Sequence, residues 1–188
     1  MIWKRSNITE LTIFAASDTI VKIHLSTVGF DADDDLIDAQ ILSSIEDVET
    51  DLNFALHPCT ETSYLPSFNS FYIDLPTYAG SLVISYYDVD NTLQTLSSGL
   101  YRVENDSIYP RVVFEDSGLP ILYDRSDAVR VAVSAGYAAA VNVPKVIKQA
   151  ILLRLADMYL QREDSLRKYP QASERLLGKI RKHNILVA

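Results

Sequence analysis

Ile37, Ile41, Ile45, Val48 and Leu52 recur at steps of four, four, three and four. That spacing lays one apolar stripe along a helix, predicted over about residues 33–56. A shorter helix is predicted from Thr19 to Ser26, with Ser17 and Asp18 as N-cap residues whose short side-chain oxygens can accept from exposed amides. His57-Pro58 is read as the stop of the first long helix, because proline lacks an N–H and clashes with the preceding turn. A second long stripe runs through Ile147, Ile151, Leu155 and Met158. Asn142-Val143-Pro144 opens it, since proline is tolerated in a first helical turn, and it is expected to end near Glu163. Tyr169-Pro170 then introduces a last, basic helix bearing Leu176, Leu177 and Ile180. Each large apolar side chain buried is worth about 1.5–3 kcal/mol. Neither long helix is stable alone, so the two are expected to pack on each other and on the sheet.

Between the helices, over residues 60–135, the period changes to two. Leu82–Asp88, Tyr101–Asn105, Ile108–Glu115 and Ala128–Ala135 are short, β-branched and aromatic. Val129, Val131 and Val133 alternate with Arg130, Ala132 and Ser134, which separates a buried face from a wetter one. Asp90-Asn91, Ser98-Gly99, Asn105-Asp106 and Ser117-Gly118 punctuate these runs as turns. The fold class expected is α+β: a helical framework of two long helices plus short N-terminal and C-terminal helices, with an inserted small antiparallel β-sheet or sandwich. Residues 1–188 are read as a single domain, with N-terminal helices over 17–57, a β insertion over 60–135, a long helix over 143–164 and a basic C-terminal helix and tail over 165–188. The pattern does not decide whether residues 1–16 pack or form an arm.

Composition narrows the class. Hydrophobic residues make up 48% and charged residues 22%, which is globular and not disordered. No apolar run approaches the roughly 20 residues of a membrane helix. The Lys4-Arg5 pair is not followed by a sustained apolar core and cleavage site, so no signal peptide is expected. Cys59 is the only cysteine, so no internal disulfide can form, and synthesis in a cytosol fits. The net charge of −8 argues against a sequence-independent nucleic-acid binder. The charge is unevenly placed. Residues 145–188 hold 10 of the 17 Lys and Arg against 4 of the 25 Asp and Glu, leaving +6 there and −14 over residues 1–144. Such a chain can attract copies of itself, basic tail to acidic body.

Candidate chemistry changes little. Asp31, Asp33 and Asp35 alternate as in a calcium loop, but Leu36 stands where glycine is needed and Leu42 where the bidentate glutamate belongs. Asp88 and Asp90 fail likewise, with Leu93 and Gly99 at those places. An N-cap and helix-dipole role explains the acidic cluster more simply. His57 and Cys59 lie two apart, without a third orienting group, and read as a helix-end histidine and a half-buried cysteine. His24 and His183 complete no metal-binding spacing. No phosphate-cradling, dinucleotide or nucleophile-elbow motif occurs. No catalytic residue, metal or cofactor is expected. Tyr86, Tyr87, Tyr101, Tyr109, Tyr123 and Tyr137 lie in or beside predicted strands, where tyrosine serves sheets and interfaces equally.

The order of these elements resembles the head–tail connector (adaptor, or head completion) proteins of long-tailed bacteriophages and gene-transfer particles. The likeness runs through Asp34-Asp35-Leu36-Ile37, Leu100-Tyr101-Arg102-Val103, Ala128-Val129-Arg130-Val131, Ser134-Ala135-Gly136-Tyr137, Val143-Pro144, Lys148-Gln149-Ala150-Ile151 and Tyr159-Leu160-Gln161-Arg162-Glu163. It covers about residues 17–178 and rests on the ordered set. Leu52-Asn53-Phe54 departs from it, standing where such proteins often have a Thr-Gly turn. The tail from Leu176 to Arg181 echoes their Leu-Leu ending only loosely.

The resemblance implies a structural virion neck protein and not an enzyme. Such proteins form a ring, usually twelve copies, on the portal vertex. They extend the DNA channel and offer a platform to the next neck (stopper) or tail protein. Partners implied are the portal protein, the downstream neck protein and further copies of the chain, with DNA passing unbound and no membrane involved. Synthesis in the host bacterial cytoplasm and residence at the head–tail junction follow. Arg175, Lys179, Arg181 and Lys182 are the expected partner-binding residues, docking on acidic surface of the portal or of a neighbouring subunit. The alternatives within the virion are a tail-completion or terminator protein or another neck protein. Outside it stands a small hydrolase or ligand-binding protein, which would need convergent polar groups in a pocket.

Overall fold

The stripe of Ile37, Ile41, Ile45, Val48 and Leu52 is buried along its whole length. It belongs to α2 (Asp34–Leu52), which follows α1 (Thr19–Leu25). The computed structural model describes residues 2–105, 109–161, 171–178 and 180. Among them are four helices and two antiparallel sheets, an α+β structure. The chain divides into two compact units, one of residues 10–56 and 137–188 and one of residues 1–9 and 57–136.

The first unit holds the helices, which include α3 (Lys145–Leu160) and α4 (Gln171–Gly178). Val21 and Leu25 of α1, the α2 stripe, Ile147, Ile151 and Leu155 of α3, and Leu177 of α4 share one core. Met158, the last residue of the α3 stripe, is only partly buried, and its sulfur accepts from Ser44 Oγ at 3.5 Å. Ile13 and Phe14 are buried in the same core, so the segment before α1 packs. Three boundaries differ from expectation. Helix α2 ends at Leu52, short of His57-Pro58, because Asn53 turns left-handed (φ +56°) and donates its N–H to the Glu49 carbonyl at 2.9 Å. Asparagine tolerates that conformation, so Asn53 performs the turn for which glycine is the usual residue. Helix α3 ends at Leu160, before Glu163, and starts one residue after Pro144, whose carbonyl accepts from Ile147 and Lys148. Asp18 and Asp33 occupy N-cap positions, but neither makes a side-chain cap bond. Asp18 instead accepts from the backbone of Ala15 at 2.9 Å. Asp34 and Asp35 do lie in the first turn of α2, where the helix dipole favours negative charge.

The second unit holds the strands β1 (Lys4–Ser6), β2 (Cys59–Leu65), β3 (Phe71–Tyr72), β4 (Leu82–Tyr87), β5 (Leu93–Thr95), β6 (Tyr101–Glu104), β7 (Arg111–Phe114) and β8 (Val129–Ala135). One sheet has the order β1-β2-β8-β4-β5 and the other β3-β7-β6. The alternation read in β8 is observed: Val129, Val131, Val133 and Ala135 are buried and Arg130 is exposed. Its neighbours are β2, from Cys59 opposite Ala135 to Leu65 opposite Val129, and β4. Phe68 contacts Tyr86 of the larger sheet and Phe114 of the smaller, so the two sheets meet across its ring. Lys4–Ser6 adds an edge strand, and Trp3 Nε1 donates to Asp74 at 2.6 Å. Gly136, in the Ala-Gly-Tyr block, has φ +92° and passes so close to the chain at His57 that an added Cβ would lie 2.1 Å from the His57 carbonyl oxygen. Only glycine fits there.

Candidate assembly surfaces

Arg154 is the largest fully buried side chain among the described residues, at 1% exposure. It sits on α3 and reaches two other helices. Nη1 donates to Asp47 at 2.5 Å, Nη2 donates to Asp51, and Nε donates to Ser173 Oγ of α4 at 2.9 Å. Asp47 and Asp51 are one turn apart on α2, so a planar guanidinium can face both at once. The basic excess of residues 145–188 is therefore partly spent inside the fold, on carboxylates of the acidic half. Helix α4 itself is not basic: Glu174 and Arg175 offset each other within it. Arg175 is exposed on its surface. Lys179, Arg181 and Lys182 lie outside the described residues, so the structure neither brings them together nor separates them.

The acidic cluster at the start of α2 is closed by a lysine. Lys22 Nζ, on α1, donates to the Phe30 carbonyl at 2.6 Å, to Asp31 at 2.9 Å and to Asp34. The hydrogen bond that Lys22 donates to Asp34 raises the Lys22 pKa above its ordinary value, against the opposing effect of burial, with Asp31 adding to the rise. Asp33 accepts from Tyr159 Oη at 2.8 Å. The cluster thus fastens α1 and α3 to the N-terminus of α2. Asp88 has a comparable local role in the strand unit. It accepts from the backbone N–H groups of Thr92 and Asp90 and from Gln94, which holds its carboxyl below the usual range and fixes the β4–β5 turn. Arg125 lies 3.8 Å over the Tyr87 ring, pairs with Asp127 through two bonds and donates to Asn91. Among the described residues, no group of three or more His, Cys, Asp or Glu side chains is placed to hold a metal. Cys59 is buried in β2, and His57 lies beyond the end of α2, not at it.

The helical unit also carries an open cleft of about 230 Å³ between residues 10–15 and α2. Its floor is Ile13, Phe14, Ile41 and Ile45, with Leu11 and Leu42 at the sides. Leu42 is 44% exposed. The charged residues lining it are Glu10 and Asp38, both acidic. Ligand pockets for small molecules are usually larger, at roughly 300–1,000 Å³, and bring several polar groups to bear on one point. This cleft is instead an apolar trough with an acidic rim, suited to side chains of another polypeptide. Sequence periodicity did not reveal it. Leu42 falls off the buried stripe of α2, and residues 10–15 have no repeating pattern.

No helix among the described residues is long and apolar enough to cross a membrane. No family model matches the chain, and no curated protein does. Its fold is similar to that of solved chains from gene transfer agent (GTA) particles. One is from the neck of an empty GTA particle computed with C6 symmetry (TM-score 0.74, 20% identity), covering 100% of this chain and 99% of that one. A second is from the neck of a native GTA particle computed with C12 symmetry (TM-score 0.72, 18% identity), and a third from the virion of a native GTA particle (TM-score 0.72, 19% identity), both with the same coverage.

Proposed function

We propose that this chain is a structural neck protein, a head-to-tail adaptor whose two units serve one ring subunit. The observation that carries the reading is the fold shared along the whole chain with neck proteins of particles that deliver DNA. Twelve copies form a ring on the portal vertex. The ring extends the DNA channel and presents a platform to the next neck or tail protein. The chain acts through interfaces and needs no cofactor. The excess of negative charge over residues 1–144 leaves the channel wall non-adhesive, so DNA slides through it. Arg175, Lys179, Arg181 and Lys182 dock on acidic surface, the portal's or a neighbouring subunit's.

Gel filtration with and without portal-bearing heads tests this. Copurification of the chain with tail-less heads is expected. Association with tails alone would overturn the adaptor role in favour of a tail-completion protein. Reversing the charge at Lys179, Arg181 and Lys182 is expected to weaken head docking, most visibly at low salt. Unchanged docking at every ionic strength would remove the electrostatic part.

A further inference from the structure

The trough between residues 10–15 and α2 has a counterpart on the same helical unit. Its floor is apolar, and neither lysine nor arginine lines it. On α2, Asp38, Leu42 and Glu46 are all exposed at successive steps of four, so Leu42 stands between two carboxylates on one strip. Glu10 adds a third carboxylate on the facing segment. The complementary surface needs projecting aliphatic side chains beside unpaired cations. The approach to α3 supplies both. Val141, in the short turn that leads into the helix, is 81% exposed, and Val146 is exposed in the first turn of α3. Lys145 is exposed and Lys148 partly so. Neither lysine pairs with a carboxylate among the described residues, and residues 128–156 contain no Asp or Glu. Val28, Phe30 and Leu36 are exposed too, but they flank the carboxylates between Asp31 and Asp35 and would bring like charge to the rim.

The two surfaces lie at opposite ends of the helix pair. Arg154 meets Asp47 and Asp51, and Met158 meets Gln40 and Ser44, so α2 and α3 run antiparallel. At about 1.5 Å per residue, Lys145 and Leu42 stand roughly 24 Å apart along the pair, so one copy cannot seat its own α3 start in its own trough.

We infer that the trough receives the start of α3 from a second copy of the chain. Val141 and Val146 seat against Leu42 and the apolar floor, and Lys145 and Lys148 face Glu10, Asp38 and Glu46. This rests on the ring reading above and deepens it by naming a contact between copies. The donor and the receiving surface differ, so each contact is head-to-tail, the kind that closes into a ring. The apolar residues give the contact its strength, and the rim charges give it register and salt dependence.

The test places Leu42→Cys and Val141→Cys together in one full-length chain. It is oxidised mildly, with and without portal-bearing heads, and read on a non-reducing gel. The buried Cys59 is present throughout, the parent control included. A ladder of dimers, trimers and larger species is expected, with neither single variant passing the dimer. Lys145→Glu with Lys148→Glu should cut the ladder about tenfold at low salt, the effect of reversing two rim pairs, and adding Glu10→Lys with Glu46→Lys should restore it. No ladder under either condition overturns the inference. So does a yield indifferent to the charges, or one that the second pair does not restore. A monomer closed by its own disulfide overturns it in favour of contact within one copy. A Leu42→Cys thiol shielded from maleimide only on heads, with no ladder, overturns it in favour of another neck protein as occupant. Binding of the parent chain to heads is measured alongside. Heads bound without the ladder sink this inference alone, whereas the ladder without head binding sinks the adaptor reading and leaves the contact between copies standing.

Discussion

Arg154→Ala should strongly destabilise the helical unit, and the size of the loss can be worked out. The substitution removes the donor shared by Asp47, Asp51 and Ser173 and leaves two carboxylates one turn apart facing an apolar void. Removing one partner of a buried ion pair costs about 3–5 kcal/mol. The two carboxylates are 20% and 27% exposed, so water can reach them and the lower end applies. A loss of about 3 kcal/mol, at a urea dependence of about 2 kcal/mol per molar, moves the unfolding midpoint down by about 1.5 M. Circular dichroism at 222 nm reads the helical unit directly. Ser173→Ala removes one neutral partner and should cost about 1 kcal/mol. The double variant should fall short of the sum by a similar amount, because both changes delete the same bond. Adding Asp47→Asn and Asp51→Asn to Arg154→Met should recover most of the loss, since no uncompensated charge then remains. A midpoint for Arg154→Ala within about 0.3 M of the parent would falsify the view that this guanidinium holds the three helices together.

Two further outcomes follow from local geometry. Lys22 has a folded pKa above its unfolded value, so its contribution is complete below about pH 10.4 and fades as pH rises through the folded value. The stability gap between the parent and Lys22→Met should therefore be flat from pH 6 to about 9 and narrow above about 10.5; urea midpoints across that range would expose a gap that widens instead. Gly136→Ala would place a methyl carbon 2.1 Å from the His57 carbonyl oxygen at φ +92°. It should cost about 3 kcal/mol and lower Tm by roughly 10 °C, and an unaltered melting curve would contradict the described crossing of the chain.

The helices were legible because their stripes serve a single buried face. Ile37 to Leu52 and Ile147 to Leu155 are buried where the period put them. The ends were less so, since His57-Pro58 is a strong local stop but Asn53 acts four residues earlier through backbone geometry. In the sheets, β4, β6, β7 and β8 stood out by β-branched and aromatic content. Strand β2 did not, because Thr60-Glu61-Thr62-Ser63 reads as loop. Its burial depends on distant partners: Glu61 pairs with Arg5 at 3.1 Å, and Ser63 donates to the Ile2 carbonyl. Strand β5 is exposed at all three positions and carries no inward pattern. Of the charges, the overall split was visible, but the use of Arg154 inside the core was not, since Asp47 and Asp51 lie more than a hundred residues away in sequence. The counter-ion of the acidic cluster, Lys22, was hidden in the preceding helix.

The position of β8 bears on how the polypeptide emerges from a ribosome. It is the last of the described strands to be synthesised, yet it lies at the middle of its sheet, and its pairing with β2 joins residues up to 76 apart. The helical core likewise waits for Ile147 to Leu155 before α2 finds its partner. Loop closures this long are slow, and nothing rewards them until the late segments appear. Prematurely terminated products stopping before about residue 135 would therefore lack both cores and be left to proteolysis.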